Sequence, residues 1–324
     1  MQTPVIFIVF NRPELTARTF ACIREARPPK LLVVCDGARA DRPDDESKVR
    51  AVRHIINSVD WPCEVIRNYA DKNMGCRARV ASGLIWAFNQ VPEAIVLEDD
   101  CLPDPSFFPF CEELLNLYRN DERVMHIAGT NLSAPYVHRS SSYWFSHQPA
   151  IWGWASWSRA WRHYELEMNS WSTRLDVLRS SFASNWEMHY WLPVLEQARL
   201  EPEKMNTWDF SWMYTCRSLH GLCIIPQNNL IENLGFGAGA SHTTTVNPRL
   251  QVPAASAGPM RHPHSVSRDR YGDEMLTRVY AGERVDLLGR MQARLRVVRE
   301  PGRDRTGPQR PARPKPPLDA TAKC

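Results

Sequence analysis

Glycine is scarce in this sequence, 15 of 324 residues, and none follows the first apolar run. "VIFIVF" (5–10) passes directly into "NRPELT" without a glycine-rich basic loop. A nucleotidyltransferase built on a parallel sheet needs such a loop to cradle phosphates, so its absence counts against that class. The same stretch lacks the D-x-D-x-T-like run of a haloacid-type phosphatase. No C-x-x-C pair occurs among the nine cysteines (22, 35, 63, 76, 101, 111, 216, 223, 324), and their number is odd. That excludes a disulfide framework and a cysteine zinc site, and reads as buried, reduced thiols of a cytosolic protein. His262 and His264 form an H-x-H pair in a Pro-rich stretch, with no third ligand near them in sequence.

Long apolar runs are missing too. The first has six residues with no basic region ahead of it, which reads as a core strand and not as a signal peptide. No stretch approaches the length of a membrane span. A basic face is also lacking. The formal charge is +4, and much of the excess falls after Arg284, at Arg290, Arg294, Arg296, Arg299, Arg303 and Arg305. The body is near neutral, so no nucleic-acid partner is expected. The tail reads as solvated, with peripheral contact to anionic lipid as its furthest reach. The expected location is the cytoplasm, up to the inner membrane surface. No internal repeat is visible.

What remains is ample core material. With 43% hydrophobic and 23% charged residues, the chain fits one large α/β domain or two lobes. The first hundred residues alternate between two periods. "VIFIVF", "KLLVVCDG" (30–37), "CEVIRN" (63–68) and "EAIVLEDD" (93–100) read as buried strands. Between them lie helices: one from Asn11, its expected cap, through Ala26, one over "DDESKVRAVRHIINSV", and one fed by the loop of "NMGCRARVASGLIWAFNQ" (73–90). Four β-α steps with short connections imply a mostly parallel sheet covered by helices. Ligands of such sheets bind beyond the carboxyl ends of the strands, where Asn11, Asp36 and the Glu98–Asp100 triplet fall.

Further along, Asp104 is expected to cap a helix with Pro105 in its first turn, and "RVMHIAG" (123–129) to form a strand. Residues 135–162 read as aromatic and loop-like. Helices are expected over 171–200 and 206–221, a short strand at "LCIIP", and an irregular Gly-rich stretch at "NNLIENLGFGAGASHTTT". Past Ala254 the periodicity fades, and residues from about 300 read as disordered.

Three consecutive acids at the end of a core strand repel one another unless a cation neutralises them. Mg²⁺ or Mn²⁺ held by one or two carboxylates and by phosphate oxygens would do so, and would stabilise a departing diphosphate as a Lewis acid. A solvated acidic turn is the plain alternative. The strand-end position and the partner acid Asp36 favour the metal.

The segments "NMGCRARVASG", "EAIVLEDDCLPDPSFF", "WGWASWSRAW", "NTWDFSW" and "NLGFGAGASHT" occur in this order. Together they resemble bacterial glycosyltransferases of the GT-A fold, of family-2 type and related to N-acetylglucosaminyltransferase I, over residues 3–250 or so. The resemblance implies a metal-dependent, inverting transfer of a sugar from a nucleotide-diphosphate donor, UDP favoured, to a hydroxyl of a glycan, lipid-linked or other acceptor. It implies Asp100 as metal ligand, Asp99 on the ribose or donor sugar with Glu98 alongside, Asp36 on the nucleobase, and Asn11 and Arg12 lining the base pocket. Asn73, Gly75 and Arg77 would close over the nucleotide, Asp209 would be the catalytic base, and His242 would reach the metal or diphosphate.

Where the resembling proteins tend to carry an acid shortly before that histidine, this chain has Ala238, Gly239, Ala240 and Ser241. Trp152, Gly153 and Trp154 either meet a sugar or form a packed corner. Asp209 also reads as a salt-bridge partner, Arg77 as a solvated helix residue and His242 as an ordinary loop histidine. The implied organisation is a nucleotide-sugar half (1–125), an acceptor and catalytic half (126–255), an extension (256–298) and a basic Pro-rich tail (299–324). A non-catalytic nucleotide-sugar-binding protein is the remaining alternative, supported only by the altered "GAGASH" segment.

Overall fold

In the computed structural model, residues 1–236 and 250–283 are described. His242 and the tail 299–324 lie outside them. The apolar runs of the first hundred residues become strands as expected: β1 (Val5–Val9), β2 (Lys30–Cys35), β3 (Glu64–Tyr69) and β4 (Glu93–Glu98). They alternate with α1 (Pro13–Ala26), α2 (Asp45–Ile56) and α3 (Cys76–Phe88). The rest of the body comprises β5 (Cys101–Pro103), α4 (Phe107–Leu117), β6 (Val124–Ala128), β7 (Tyr143–Ser146), β8 (Trp154–Trp157) and α5 (Ser158–Trp161). Then come α6 (Trp171–Ser180), α7 (Asn185–Leu200), α8 (Pro202–Met205), α9 (Asp209–Ser218), β9 (Leu222–Pro226), β10 (Ile231–Asn233) and α10 (Arg270–Tyr280).

Eight strands form one sheet in the order β3-β2-β1-β4-β8-β6-β9-β7, and β10 pairs with β5 in a small ribbon. Only β7 and β8 run against the rest. This is the helix-flanked, mostly parallel α/β architecture that the sequence led us to expect. The chain leaves β1 on one side to build β2 and β3, then crosses to the other to add β4. β1 is therefore the topological switch point, where such sheets open a crevice at their carboxyl edge. Register makes that edge level: Val9 pairs with Cys35 and Ile8 with Glu98. Asn11, Arg12, Asp36, Asp99 and Asp100 all follow immediately.

Val5, Ile6 and Phe7 of β1 are wholly buried, as are Leu31 to Cys35 of β2. Full burial on both faces is why these strands read as continuous apolar runs. β6 spans residue 126, with a register shift between Val124 and His126, and one core cluster draws residues from both sides of it.

Four local expectations are corrected. Residues 135–162 are not merely irregular, for they contribute β7 and β8 to the sheet. Helix α10 closes the described chain where periodicity had faded. Its cap is Asp269, whose carboxylate accepts from the Gly272 N–H at 2.8 Å. Asn11 does not cap α1, because its amide donates to Asp45 at 2.7 Å. Asp104 accepts from the Ser106 N–H and hydroxyl at 2.9 and 2.6 Å, a local turn that delays α4 to Phe107.

Candidate active site

The acidic triplet sits where β4 ends. Glu98, Asp99 and Asp100 are only 7%, 1% and 6% exposed, so the solvated acidic turn is excluded. The Thr19 hydroxyl of α1 donates to the Asp99 carbonyl at 2.9 Å and fixes the turn to the helix above it. Arg12 forks across two of the acids, Nη1 donating to Asp100 Oδ2 at 2.9 Å and Nη2 to Asp99 Oδ1. Burial works against the Arg12 charge, but the fields of Asp99 and Asp100 outweigh it and raise its pKa.

One guanidinium does not satisfy three carboxyl groups. Glu98 Oε1 and Asp99 Oδ2 are buried and have no hydrogen-bond partner among the described residues. Burial, and next the Asp100 charge, pushes Glu98 well above the usual carboxylate range, and burial raises Asp99 despite Arg12. Buried carboxyl oxygens are normally paired, and these two are exceptions that mark the turn as a polar site. The donor set, all hard oxygens, suits Mg²⁺ or Mn²⁺.

The segment after β10 closes over this cluster. β10 pairs antiparallel with β5, Asn233 facing Cys101, and the Leu234 N–H donates to the Asp100 carbonyl at 2.8 Å. Gly235 then lies against the Asp100 carboxylate so closely that a Cβ there would overlap it. Its N–H is held by Asn233 Oδ1 at 2.7 Å. The ring of the next residue, Phe236, meets Trp152 edge-on at 5.6 Å. Asn233 and Gly235 both lie in the "NLGFGAGASHT" segment that carries the resemblance, but the sequence assigned neither of them a role.

Asp209 opens α9 and is 3% exposed. The Thr207 hydroxyl donates to its Oδ1 and orients it. Its charge adds to the field that raises Glu98, so it lies within electrostatic reach of the cluster. An aromatic stack supports it from below. Trp154 packs against Trp208 at 5.8 Å and His126 at 5.2 Å, and Tyr164 Oη donates to the Trp208 carbonyl at 3.0 Å.

The other candidates divide. Asp36 is buried at the end of β2, and its carboxylate accepts from Asn73 Nδ2 at 3.0 Å and from the N–H groups of Met74 and Gly75 at 2.9 and 3.1 Å. Burial nevertheless raises its pKa. Asn73, Gly75 and Asp36 are thus one unit, and Gly75 adopts φ 78°, a left-handed conformation suited to glycine, ahead of α3. Asn11 is engaged by Asp45, which Arg39 and then Asn11 hold down to about 2 despite its burial. Arg77 turns toward Glu167 at 2.9 Å and the Leu166 carbonyl at 3.1 Å.

Trp152 packs beside the cluster through Phe236. Gly153, at φ 60°, presses on Ile231 with no room for a Cβ. Trp154 is wholly buried and presents no face to a ligand. No helix among the described residues is long and apolar enough to cross a membrane.

No protein-family model matches this chain, and no curated protein matches it. Among solved structures, it resembles a mannosyltransferase from Pyrobaculum calidifontis in complex with GDP-Man and Mn²⁺, at 14% identity over 48% of this chain and 45% of that one, with TM-score 0.31. Mouse xyloside xylosyltransferase 1 in its apo form matches at 9% identity over 50% of this chain and 69% of that one, TM-score 0.30. An apo UDP-glucose pyrophosphorylase matches at 10% identity over 74% and 94%, TM-score 0.38. The chain thus spans less than half the length of the mannosyltransferase. Likenesses this remote carry no argument about chemistry, and the architecture rests on the strand order and register above.

Proposed function

We propose that this chain is a glycosyltransferase of the GT-A type, moving a sugar from a nucleotide-diphosphate donor, UDP favoured, to a hydroxyl acceptor with inversion. One observation carries the reading. Three consecutive buried carboxyl groups end the strand beside the switch point of the sheet, Glu98 and Asp99 each with an oxygen left unpartnered among the described residues, and a fourth, Asp209, stands within electrostatic reach.

Asp100 is the proposed metal ligand, with Asp99 and Glu98 beside it. A bound divalent cation would neutralise charge building on the departing diphosphate. The unit of Asp36, Asn73 and Gly75 shapes the nucleobase end of the crevice, with Asn11 next to it. Arg77 steadies the start of α3 on the segment at Glu167. Asp209 takes the proton from the acceptor hydroxyl as that oxygen attacks the anomeric carbon. Trp152 walls the sugar side. His242 enters the proposal on sequence position alone.

Calorimetric titration of UDP tests the reading, in Mn²⁺ and in chelator, on wild type and Asp100→Ala. Binding that needs both metal and Asp100 supports it and leads to a screen of donor sugars by product mass. Binding indifferent to both, repeated with other nucleoside diphosphates, returns the triplet to a structural role.

A further inference from the structure

The guanidinium of Arg12 lies across Asp99 and Asp100, the proposed metal ligand and its neighbour in the triplet. We infer that Arg12 is an internal counter-ion standing in for the divalent cation, so that metal loads only as Arg12 releases Asp100. This rests on the metal reading of Asp100 given above, and adds an order of binding to it.

Several contacts support the exchange. Asp100 Oδ2 is the atom that Arg12 Nη1 contacts at 2.9 Å, and the same oxygen abuts Gly235. Two of its approaches are therefore taken, by a cation and by backbone. The other oxygen, Oδ1, accepts from the Cys101 thiol at 3.6 Å; a metal on Oδ2 at ordinary carboxylate distance, about 2.1 Å, would share that oxygen with the guanidinium, and the two positive centres would repel. Without either cation the buried acids would face one another uncompensated, which the fold disfavours. Arg12 thus offsets part of the charge of the cluster through Asp99 and Asp100, at the cost of competing with the metal.

The backbone need not move for the exchange. The Arg12 carbonyl accepts from the Thr16 N–H at 2.9 Å and the Thr16 hydroxyl at 2.8 Å, which pins its backbone at the N-cap of α1. Its side chain is 16% exposed, so it stands at the rim of the cluster with a way out, whereas Asp99 is sealed below it. A released guanidinium is a fork of donors suited to phosphate oxygens. A diphosphate arriving with its metal would accept the arginine that the metal displaces. Metal alone offers no such partner, so the diphosphate and the metal should load together.

Mn²⁺ binding read from the electron-spin resonance of the free ion tests this on the full chain, for wild type, Arg12→Gln and Asp100→Asn, each with and without UDP. The expected result is weak Mn²⁺ binding by wild type alone, at least about tenfold tighter binding by Arg12→Gln alone, and a gap that narrows when UDP is present. Asp100→Asn should bind poorly throughout. Equal Mn²⁺ affinity of wild type and Arg12→Gln overturns the counter-ion role while leaving the metal site standing. Absence of Mn²⁺ binding in every protein, with UDP included, overturns the metal reading and this inference with it.

Should Arg12→Gln fail to fold, wild type supplies the readout. The ¹⁵Nε resonance of Arg12, identified by its loss in Arg12→Lys, should shift on adding Mg²⁺ with UDP and stay in place with Mg²⁺ alone. No shift with Mg²⁺ and UDP, under conditions where calorimetry shows them bound, also overturns it.

Discussion

The carboxylate of Asp36 receives the backbone N–H of Gly75 at 3.1 Å, tying the end of β2 to the start of α3 across 39 residues of chain. The Met74 N–H and the Asn73 amide reach the same carboxylate. Removing it leaves buried donors unpaired at about 1–3 kcal/mol each. Asp36→Ala should therefore lose about 2–4 kcal/mol in urea unfolding, and Asp36→Asn less. If the 73–75 loop shapes the nucleotide end of the crevice, UDP affinity should fall in both variants even where the protein remains folded. Titration calorimetry under native conditions separates the two effects.

The Asp209 charge adds to the field at Glu98. In the proposed reaction Asp209 acts on the proton and not on the nucleotide. Asp209→Asn preserves shape and the Thr207 contact but cannot accept a proton. Turnover should drop about 10²–10⁴-fold, with UDP binding held within about threefold and the thermal midpoint nearly unchanged. A loss of UDP binding equal to the loss of turnover would assign Asp209 to the donor pocket instead.

Much of the candidate site was legible in the sequence as a set of strand ends. Continuous apolar runs located β1, β2 and β4, and the polar residues just after each fell on one level edge. The aromatic stretch was less legible. "SYWFS" and "WGWASW" carry no alternation of apolar and polar residues, since β7 and β8 are buried throughout, and periodicity cannot then tell strand from packed loop. Trp154 shows the consequence: as a sequence letter it could be a sugar platform, but its place among Trp208, Trp161 and His126 makes it core. Helix α10 was missed because its stability comes from tertiary partners. Arg268 pairs with its Asp273, and Trp191 of α7 donates to its Thr277 at 3.0 Å.

A buried ionic group far from the acidic triplet holds these helices together. Arg217 and Glu187 are both wholly buried and meet at 2.6 Å, with Arg268 3.7 Å from Glu187. Glu187 also accepts from the Ala183 N–H, and Ser184 caps α7 by accepting from Glu187 N. Arg217→Met leaves part of the Glu187 charge uncompensated and should cost about 3–5 kcal/mol. The double variant Arg217→Met, Glu187→Leu should recover a substantial part of that loss. Chemical denaturation of the four members of this cycle gives the coupling directly, and additive losses would show that the pair is not coupled.

His126 offers a pH test of the aromatic core. Trp212 Nε1 donates to its Nδ1 at 3.2 Å, so Nδ1 is the acceptor, and Nε2 carries the hydrogen given to the Ala150 carbonyl at 3.0 Å. The ring is neutral, and a second proton has no place. Complete burial lowers its pKa from 6.5 to about 4. In the unfolded chain it takes up a proton near pH 6.5, while the folded protein resists until about pH 4. Stability tied to this residue is therefore full above pH 6.5, falls as pH drops through that window and is gone below about 4. The withdrawal is about 3 kcal/mol by linkage. In His126→Gln, whose amide can keep one donor and one acceptor, the urea midpoint should start lower at pH 7.5 but decline less between pH 7 and 4.5. Parallel declines in wild type and variant would mean that His126 takes up its proton as readily in the folded chain as in the unfolded one.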